Sequence, residues 1–317
     1  MTAYLIRRIA QSAVLLVLVT AIAFGLMRLA PGGPEAVYTL SPTIRAEDIA
    51  RIRASFGLDQ PIPVQYVKWA GGVLSGDWGR SYRDSRPVLE VIGDRIPATL
   101  ELAGAALAFA IIVGISIGVL GALRPHSAFD YLSTIGAMVA LSVPTFWFGL
   151  MVIYIFAEKL DWIPSGGRST LGAPFSLVDR LQHLVAPALV LGLVLVAGWS
   201  RYTRAAMLET VNQDYVRTAR AKGLAERPVV WTHAFRNAIA PLVTLAGLQI
   251  PLLFGGALVT ESVFTWPGMG RLFVDSLGYR DYPVMMGVLV ATAILVLLGN
   301  LLADLLIVFI DPRIRLR

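Results

Sequence analysis

The chain has no cysteine, only 3 histidines among 317 residues, and few charges: Asp, Glu, Lys and Arg make up 15%, where about 25% is ordinary for a soluble protein. The missing thiols exclude disulfides, Cys-ligated zinc, iron–sulfur clusters and thiol catalysis in this chain. G-x-x-x-x-G-K-[ST], H-E-x-x-H and G-x-G-x-x-G do not occur either, so the signatures of a P-loop, a zinc protease helix and a dinucleotide fold are absent. What the chain has in abundance is apolar surface, with 56% hydrophobic residues and a mean hydropathy of +0.68. A water-soluble globule of this length could not bury so much, which makes this an all-α integral membrane protein. The net charge of +6 is no pointer to nucleic acid, because the basic residues sort by side of the membrane.

A helix needs about 20 mainly apolar residues to cross the hydrocarbon layer. Six stretches qualify, at about 9–29, 100–123, 131–157, 181–200, 237–260 and 282–310. Lipid-facing barrel strands would show period-2 alternation, which is lacking, so helices are the spanning elements. Arg7 and Arg8 precede the first stretch and Ala21–Ile22–Ala23 resembles a cleavage site. The apolar run continues past that tripeptide and exceeds the length of a signal-peptide core, so it reads as an uncleaved first helix. With the amino terminus in the cytoplasm, the inner segments carry thirteen Lys and Arg residues and the two later outer loops carry five. The first outer loop, about 30–98, is long enough to translocate regardless of its charges. The expected topology is therefore six helices with both ends inside. Trp162 and Trp266 at the outer face and Trp199 at the inner face fit interfacial anchors. In the outer loop, residues 44–56 could form a short amphipathic helix.

Two features look chemical. Gly114–Ile115–Ser116–Ile117–Gly118 matches the G-x-S-x-G of serine hydrolases, and an intramembrane serine protease would place such a motif in a helical bundle. It would also need a histidine base deep in another span, whereas His126, His183 and His233 lie in loops or at a helix edge. The same residues give a small-residue face for close helix packing, which is the preferred reading. The second feature is Asp304, the one acid inside a span. A single acid makes a poor proton or sodium relay, and it reads as an interfacial group close to lipid head groups or bound to a neighbouring loop.

The most basic loop, about 201–236, separates spans four and five. Asp214 is suited to cap a short helix, Lys222 favours its carboxyl end, and Gly223 supplies a left-handed residue to stop it. Pro228 fits the first turn of a second helix running through Trp231 and Phe235 toward span five. Tyr215 and Ala219, four apart, share a face. The small Ala219 and Ala221 leave room for another protein to approach. The alternative, an amphipathic helix lying on anionic lipid, suits its weak apolar face less well.

Arg217-Thr-Ala-Arg-Ala-Lys-Gly223 in this position resembles the EAA loop of permease subunits in ATP-binding-cassette importers, with Arg217 replacing the usual Glu and Thr218 the first Ala. The run Asp214-Tyr-Val-Arg-Thr-Ala-Arg-Ala-Lys-Gly-Leu224, followed by His233-Ala-Phe-Arg-Asn-Ala238, is similar to the dipeptide/oligopeptide/nickel branch. So are Tyr4-Leu-Ile-Arg-Arg8, Arg28-Leu-Ala-Pro-Gly-Gly-Pro34, Gly76-Asp-Trp-Gly-Arg-Ser81, Glu261-Ser-Val-Phe-Thr-Trp-Pro-Gly-Met-Gly-Arg271 and Asp311-Pro-Arg-Ile-Arg315. Together these cover nearly the whole chain.

The resemblance implies one half of a heterodimeric transmembrane pathway in a bacterial or archaeal cytoplasmic membrane, forming a single transmembrane domain. A second, homologous permease subunit, two cytoplasmic ATPase domains and an extracytoplasmic solute-binding protein would complete the importer. ATP and magnesium would be bound by the ATPases, leaving no cofactor, catalytic or metal site in this chain. Asp214, Tyr215, Arg217, Thr218, Ala219, Arg220, Lys222 and Gly223 are the candidates for ATPase docking. Ser142, Thr145, Thr244 and Gln249 are the candidates for the cargo path, with Pro144, Pro241 and Pro251 as bends. Ser and Thr can instead satisfy their own helix backbone, and Gln249 can bond a neighbouring helix. Short peptides are the expected cargo; nickel chelates, glutathione and other small solutes stay open, as does, in a different class, an autonomous channel.

Overall fold

The computed structural model describes residues 2–29, 51, 59–255 and 257–310; most of the 44–56 segment lies outside them. Long apolar runs become helices here because each satisfies its own backbone donors and acceptors. Among the described residues there is no strand, only an isolated bridge between Arg80 and Pro87. Helix α1 (Thr2–Leu29) is followed by α2 (Ile62–Leu74), the short α3 (Val88–Gly93) and α4 (Ile96–Leu123). Next come α5 (Ala128–Ser142), α6 (Thr145–Val152) with a π-helical continuation at Ile153–Lys159, and α7 (Leu177–Val211). The short α8 (Asp214–Ala221) precedes Glu226–Pro228 and the π-helical turns Val229–Phe235, which lead directly into α9 (Arg236–Gly255). Helices α10 (Leu258–Val263), α11 (Met269–Gly278) and α12 (Tyr282–Ile310) complete the order.

Four helical segments among the described residues are long and apolar enough to cross a membrane: Ile6–Leu29, Val88–Leu123, Leu177–Val211 and Tyr282–Asp304. A fifth span arises if Ala128–Ser142 and Thr145–Lys159 count as one, although they are bent by 100° at the break. The stretch expected to be the third span is therefore broken, at one of the three prolines expected to bend the helices. Pro144 has no N–H to carry the helix across and disfavours helical geometry at Val143, which is extended with ψ 125. The fourth expected span is longer than its apolar core, since α7 runs eleven residues past Ser200 to Val211. The fifth is shorter, with Gly255 ending α9 and residues from 258 onward belonging to α10. Helix α9 is 20 residues long and is not among the four.

The centre of the bundle is α4 packed along α7. A Cβ on Gly114 would lie 2.5 Å from Trp199 Cβ, and one on Gly118 would lie 2.5 Å from Thr203 Cβ and 2.6 Å from the Ser200 carbonyl. Only hydrogen fits at either place, so the two glycines are the contact that brings the helices together. Ser116 is exposed and donates its hydroxyl to Ile112 O at 2.7 Å, turned away from that seam. Helix α5 packs on α7 and α4, whereas α9 packs on α12, α7 and α4. Helix α1 lies at the edge, against α12 and α2.

Two tryptophans expected at membrane interfaces are core residues instead. Trp199 is 1% exposed and donates to Gln249 Oε1 at 2.9 Å. Trp266 is fully buried and donates to Ala98 O at 2.8 Å. A buried indole is tolerated where its N–H has a partner, and both have one. Asp304 is paired with Arg8 of α1 at 2.9 Å, a partner on a neighbouring helix.

At the end of the bundle opposite α8, acidic residues staple the connecting segments to the helices. Glu261 in α10, 0% exposed, accepts the Thr99 hydroxyl of α4 at 2.8 Å and the Arg271 N–H of α11 at 3.0 Å. Asp281 accepts the Ser81 hydroxyl at 2.5 Å and the Tyr82 N–H at 3.1 Å. Glu101 sits between Arg168 at 2.5 Å and Arg180 at 2.8 Å.

Candidate functional site

The short helix α8 is one turn pair of polar sequence, so its position is set by what it can bury and by how it is ended. Gln213, with φ -73 and ψ 149, is its cap residue, and no side chain caps it. Asp214, expected in that role, is instead the first helical residue; there its carboxylate still suits the positive end of the helix dipole. Arg217 approaches it at 3.7 Å, and Thr218 turns its hydroxyl onto Asp214 O at 2.9 Å. At the other end, Gly223 has φ +76. Its N–H donates to Arg220 O at 2.9 Å, and the Leu224 N–H reaches back to Ala219 O at 3.4 Å. This pair of bonds is the Schellman arrangement that stops a helix on a left-handed residue.

Val216 and Ala219, three apart, form the buried side at 0% and 5% exposure. They pack into a cluster with Val119 and Ala122 of α4, Met207 of α7, and Val229, Val230, Ala234 and Ala238 on the run into α9. Ala219 was expected to lie on the face open to another protein. It faces inward because this apolar cluster lies beneath it, and Tyr215, its expected companion, is 43% exposed. Sequence reasoning also passed over Val216, although the Val–Ala spacing of three was the available signal. Asp214, Tyr215, Arg217, Thr218, Arg220, Lys222 and Gly223 all remain exposed.

Arg220 is held by Glu226 across the Gly223 turn, Nε to Oε1 at 2.9 Å and Nη2 to Oε2 at 3.4 Å. This two-pronged contact spans the turn between α8 and the helical run that follows. Beyond it, the rings of Trp231 and Phe235 meet edge to face, 5.2 Å apart. The result is an exposed polar ridge on a firmly seated base.

The four path candidates lie on three helices, α5, α6 and α9. Ser142 is exposed and bonds its own helix at Met138 O, 2.8 Å away. Thr145 lines a cavity of about 210 Å³ with Val139, Phe148, Val190 and Leu193, inside the bend at Pro144. Thr244 is partly buried on α9. Gln249 is the partner of Trp199, so it joins α9 to α7. Of the three bend candidates, Pro144 marks the break, while α9 runs on through Pro241 and Pro251.

Residues 110–316 match the family described as "Binding-protein-dependent transport system inner membrane component", and residues 1–103 match its amino-terminal counterpart. The chain belongs to this family. Among its relatives is the oligopeptide transport system permease protein AppB of Bacillus subtilis, 45% identical over 315 residues and covering 99% of both chains. The dipeptide transport system permease protein DppB of Escherichia coli K12 is 37% identical over 336 aligned positions, again covering 99% of each. Among solved structures, the MetNI methionine transporter in inward-facing form shares the fold with a TM-score of 0.57 at 21% identity, over 72% of this chain and 99% of that one. As a family member, the chain is a multi-pass membrane permease.

Proposed function

We propose that this permease subunit forms half of the translocation pathway of an ATP-driven importer for short peptides. It would sit in a bacterial or archaeal cytoplasmic membrane as six spans of one domain, both ends inside. The bent α5–α6 pair would count as the third span and α9 as the fifth. A second, similar permease subunit supplies the other half. A solute-binding protein delivers cargo on the outer side, and two cytoplasmic ATPase domains, which hold the ATP and magnesium, seat against α8. The observation that carries this reading is similarity over 99% of the chain to relatives named as oligopeptide and dipeptide permeases.

The exposed ridge of Asp214, Tyr215, Arg217, Thr218, Arg220, Lys222 and Gly223 is the contact for the ATPase, with Ala219 anchoring it from below. Ser142, Thr145 and Thr244 are the path residues; Gln249 contributes by holding α9 against α7. When the ATPases close, they push α8, and the helices beneath it change their tilt.

Gly223→Asp or Gly223→Arg tests this coupling. Among the described residues, its chain neighbours apart, nothing lies within 4 Å of a Cβ built there, so the added β-carbon itself meets open space on the exposed ridge. Its left-handed backbone also penalises a non-glycine residue by about 1–2 kcal/mol. Peptide uptake should fall about tenfold or more while the assembled ATPases retain basal hydrolysis. Unchanged uptake would overturn the coupling role of α8.

A further inference from the structure

A cavity lies far from α8, at the carboxyl end of α1, where α1, α2 and the first turn of α12 meet the 77–85 segment. Its volume is about 770 Å³. Among the described residues, Arg28, Lys68 and Arg80 line it against one acid, Asp77, so these side chains make its described lining positive. Arg28 lies 5.2 Å from the centre of the Phe24 ring and 5.5 Å from that of Tyr282. Its Nη1 is buried without a hydrogen-bond partner. Across the cavity wall, Gln65 spends its amide N–H on Gln60 O at 2.7 Å, while its Oε1 is also buried and unpartnered. Buried polar atoms are rarely left so. One wall thus has a cationic donor in want of an acceptor, and the other has an acceptor in want of a donor.

We infer that this cavity binds the head group of an anionic glycerophospholipid, with the phosphate against Arg28 and Lys68 and a head-group hydroxyl donating to Gln65 Oε1. The surroundings suit a lipid better than a dissolved anion. Helix α1 is the edge helix, and Val14, Leu18, Ile22 and Leu26 on it are each more than half exposed, so acyl chains can reach the helix that carries Arg28. Trp69 and Tyr66 pack with Phe24 at 5.7 and 5.6 Å between ring centres, an aromatic group of the type that settles at head-group depth. Basic pockets between membrane helices are suited to lipid phosphates. The net charge favours an anionic lipid over a zwitterionic one, and Gln65 favours a head group with a hydroxyl over choline, which has no donor. The topology proposed above decides only the leaflet, which is the outer one.

The test is native mass spectrometry of the assembled transporter taken from nanodiscs of phosphatidylglycerol, of phosphatidylcholine, or of an equal mixture. The wild type from the mixture should retain phosphatidylglycerol at least tenfold over phosphatidylcholine. Arg28→Gln with Lys68→Gln should abolish the preference. Gln65→Leu, which leaves every charge in place, should reduce it about threefold or more. Equal retention of the two lipids by the wild type would overturn the proposal without any variant. So would loss of the bound phosphatidylglycerol on adding millimolar inorganic phosphate, glycerol phosphate or a dipeptide, since each would reveal a soluble occupant.

Discussion

Glu261 offers the sharpest quantitative test of the fold at the end away from α8. Its two carboxylate oxygens serve two donors on different elements, the Thr99 hydroxyl and the Arg271 N–H, at 2.8 and 3.0 Å. The Thr99 hydroxyl cannot easily turn elsewhere, because its oxygen already accepts the Met269 N–H at 2.8 Å. Gly268 and Gly270 press on the same carboxylate; a Cβ on Gly268 would stand 2.3 Å from Oε1. A methyl group does not fit between either glycine and the carboxylate. Glu261→Gln keeps the shape but presents one acceptor where two are needed. One buried donor loses its partner, a cost of about 1–3 kcal/mol. Glu261→Ala removes both acceptors and leaves a void, so the cost should rise to about 3–5 kcal/mol. Thermal unfolding of the purified permease in nanodiscs, followed by intrinsic fluorescence, reads these differences. The expected order is wild type above Gln above Ala. A Gln variant that melts with the wild type would show that the two donors do not depend on the carboxylate, and the stapling role would be lost.

Gly118→Ala should destabilise the bundle by about 1–3 kcal/mol, since the added carbon meets α7 backbone as well as side chain and overpacking has no flexible neighbour to absorb it. Gly104→Ala on the same helix, with nothing within 4 Å, should be neutral in the same melting assay, and equal effects would refute the glycine seam. Arg204 reaches Asp130 with its Nε at 2.5 Å and Nη2 at 2.7 Å, where the acid is buried and Arg204 is 31% exposed. Arg204→Gln should therefore cost about 2 kcal/mol, below the ~3–5 kcal/mol of a fully buried pair. Adding Asp130→Asn should restore most of it, and an additive double variant would show that the pair does not act as a unit.

Hydropathy made most of the helices legible and left their directions hidden. The long apolar stretches that became α1, α4 and α12 stood out because a spanning helix must hide every backbone polar group. The proline at 144 signalled a bend; its 100° angle depends on what lies on either side, which no local pattern records. Trp199 and Trp266 misled for a related reason. Position near a helix end fits a membrane-interface anchor and a core indole alike, and only the partners, Gln249 and the Ala98 carbonyl, tell them apart. In α8, the stop at Gly223 was legible because a left-handed residue is a local requirement. The buried side rested on a slighter signal, Val216 and Ala219 three apart, and what they bury against comes from α4, α7 and the run into α9. Glu261 gave no signal of burial at all, one of its donors, Thr99, lying 162 residues away on α4.

The seating of α8 alters how a push from a partner would travel. A helix attached only through Gly223 would swing on that residue and pass its displacement along the chain to α9 alone. Val216 and Ala219 instead plug into a cluster shared by the ends of α4 and α7 and by the run into α9, and Arg220 with Glu226 braces the turn from outside. Close-packed side chains deform little and tend to shift between discrete arrangements. On the function proposed here, force on the exposed ridge therefore reaches three helices at once, and α4 and α7, locked together at Gly114 and Gly118, would move as one body against α9. The energy delivered at α8 then need not bend any spanning helix; it has only to favour one of two ways of packing α9 against the α4–α7 pair, the seam that the Trp199–Gln249 hydrogen bond crosses.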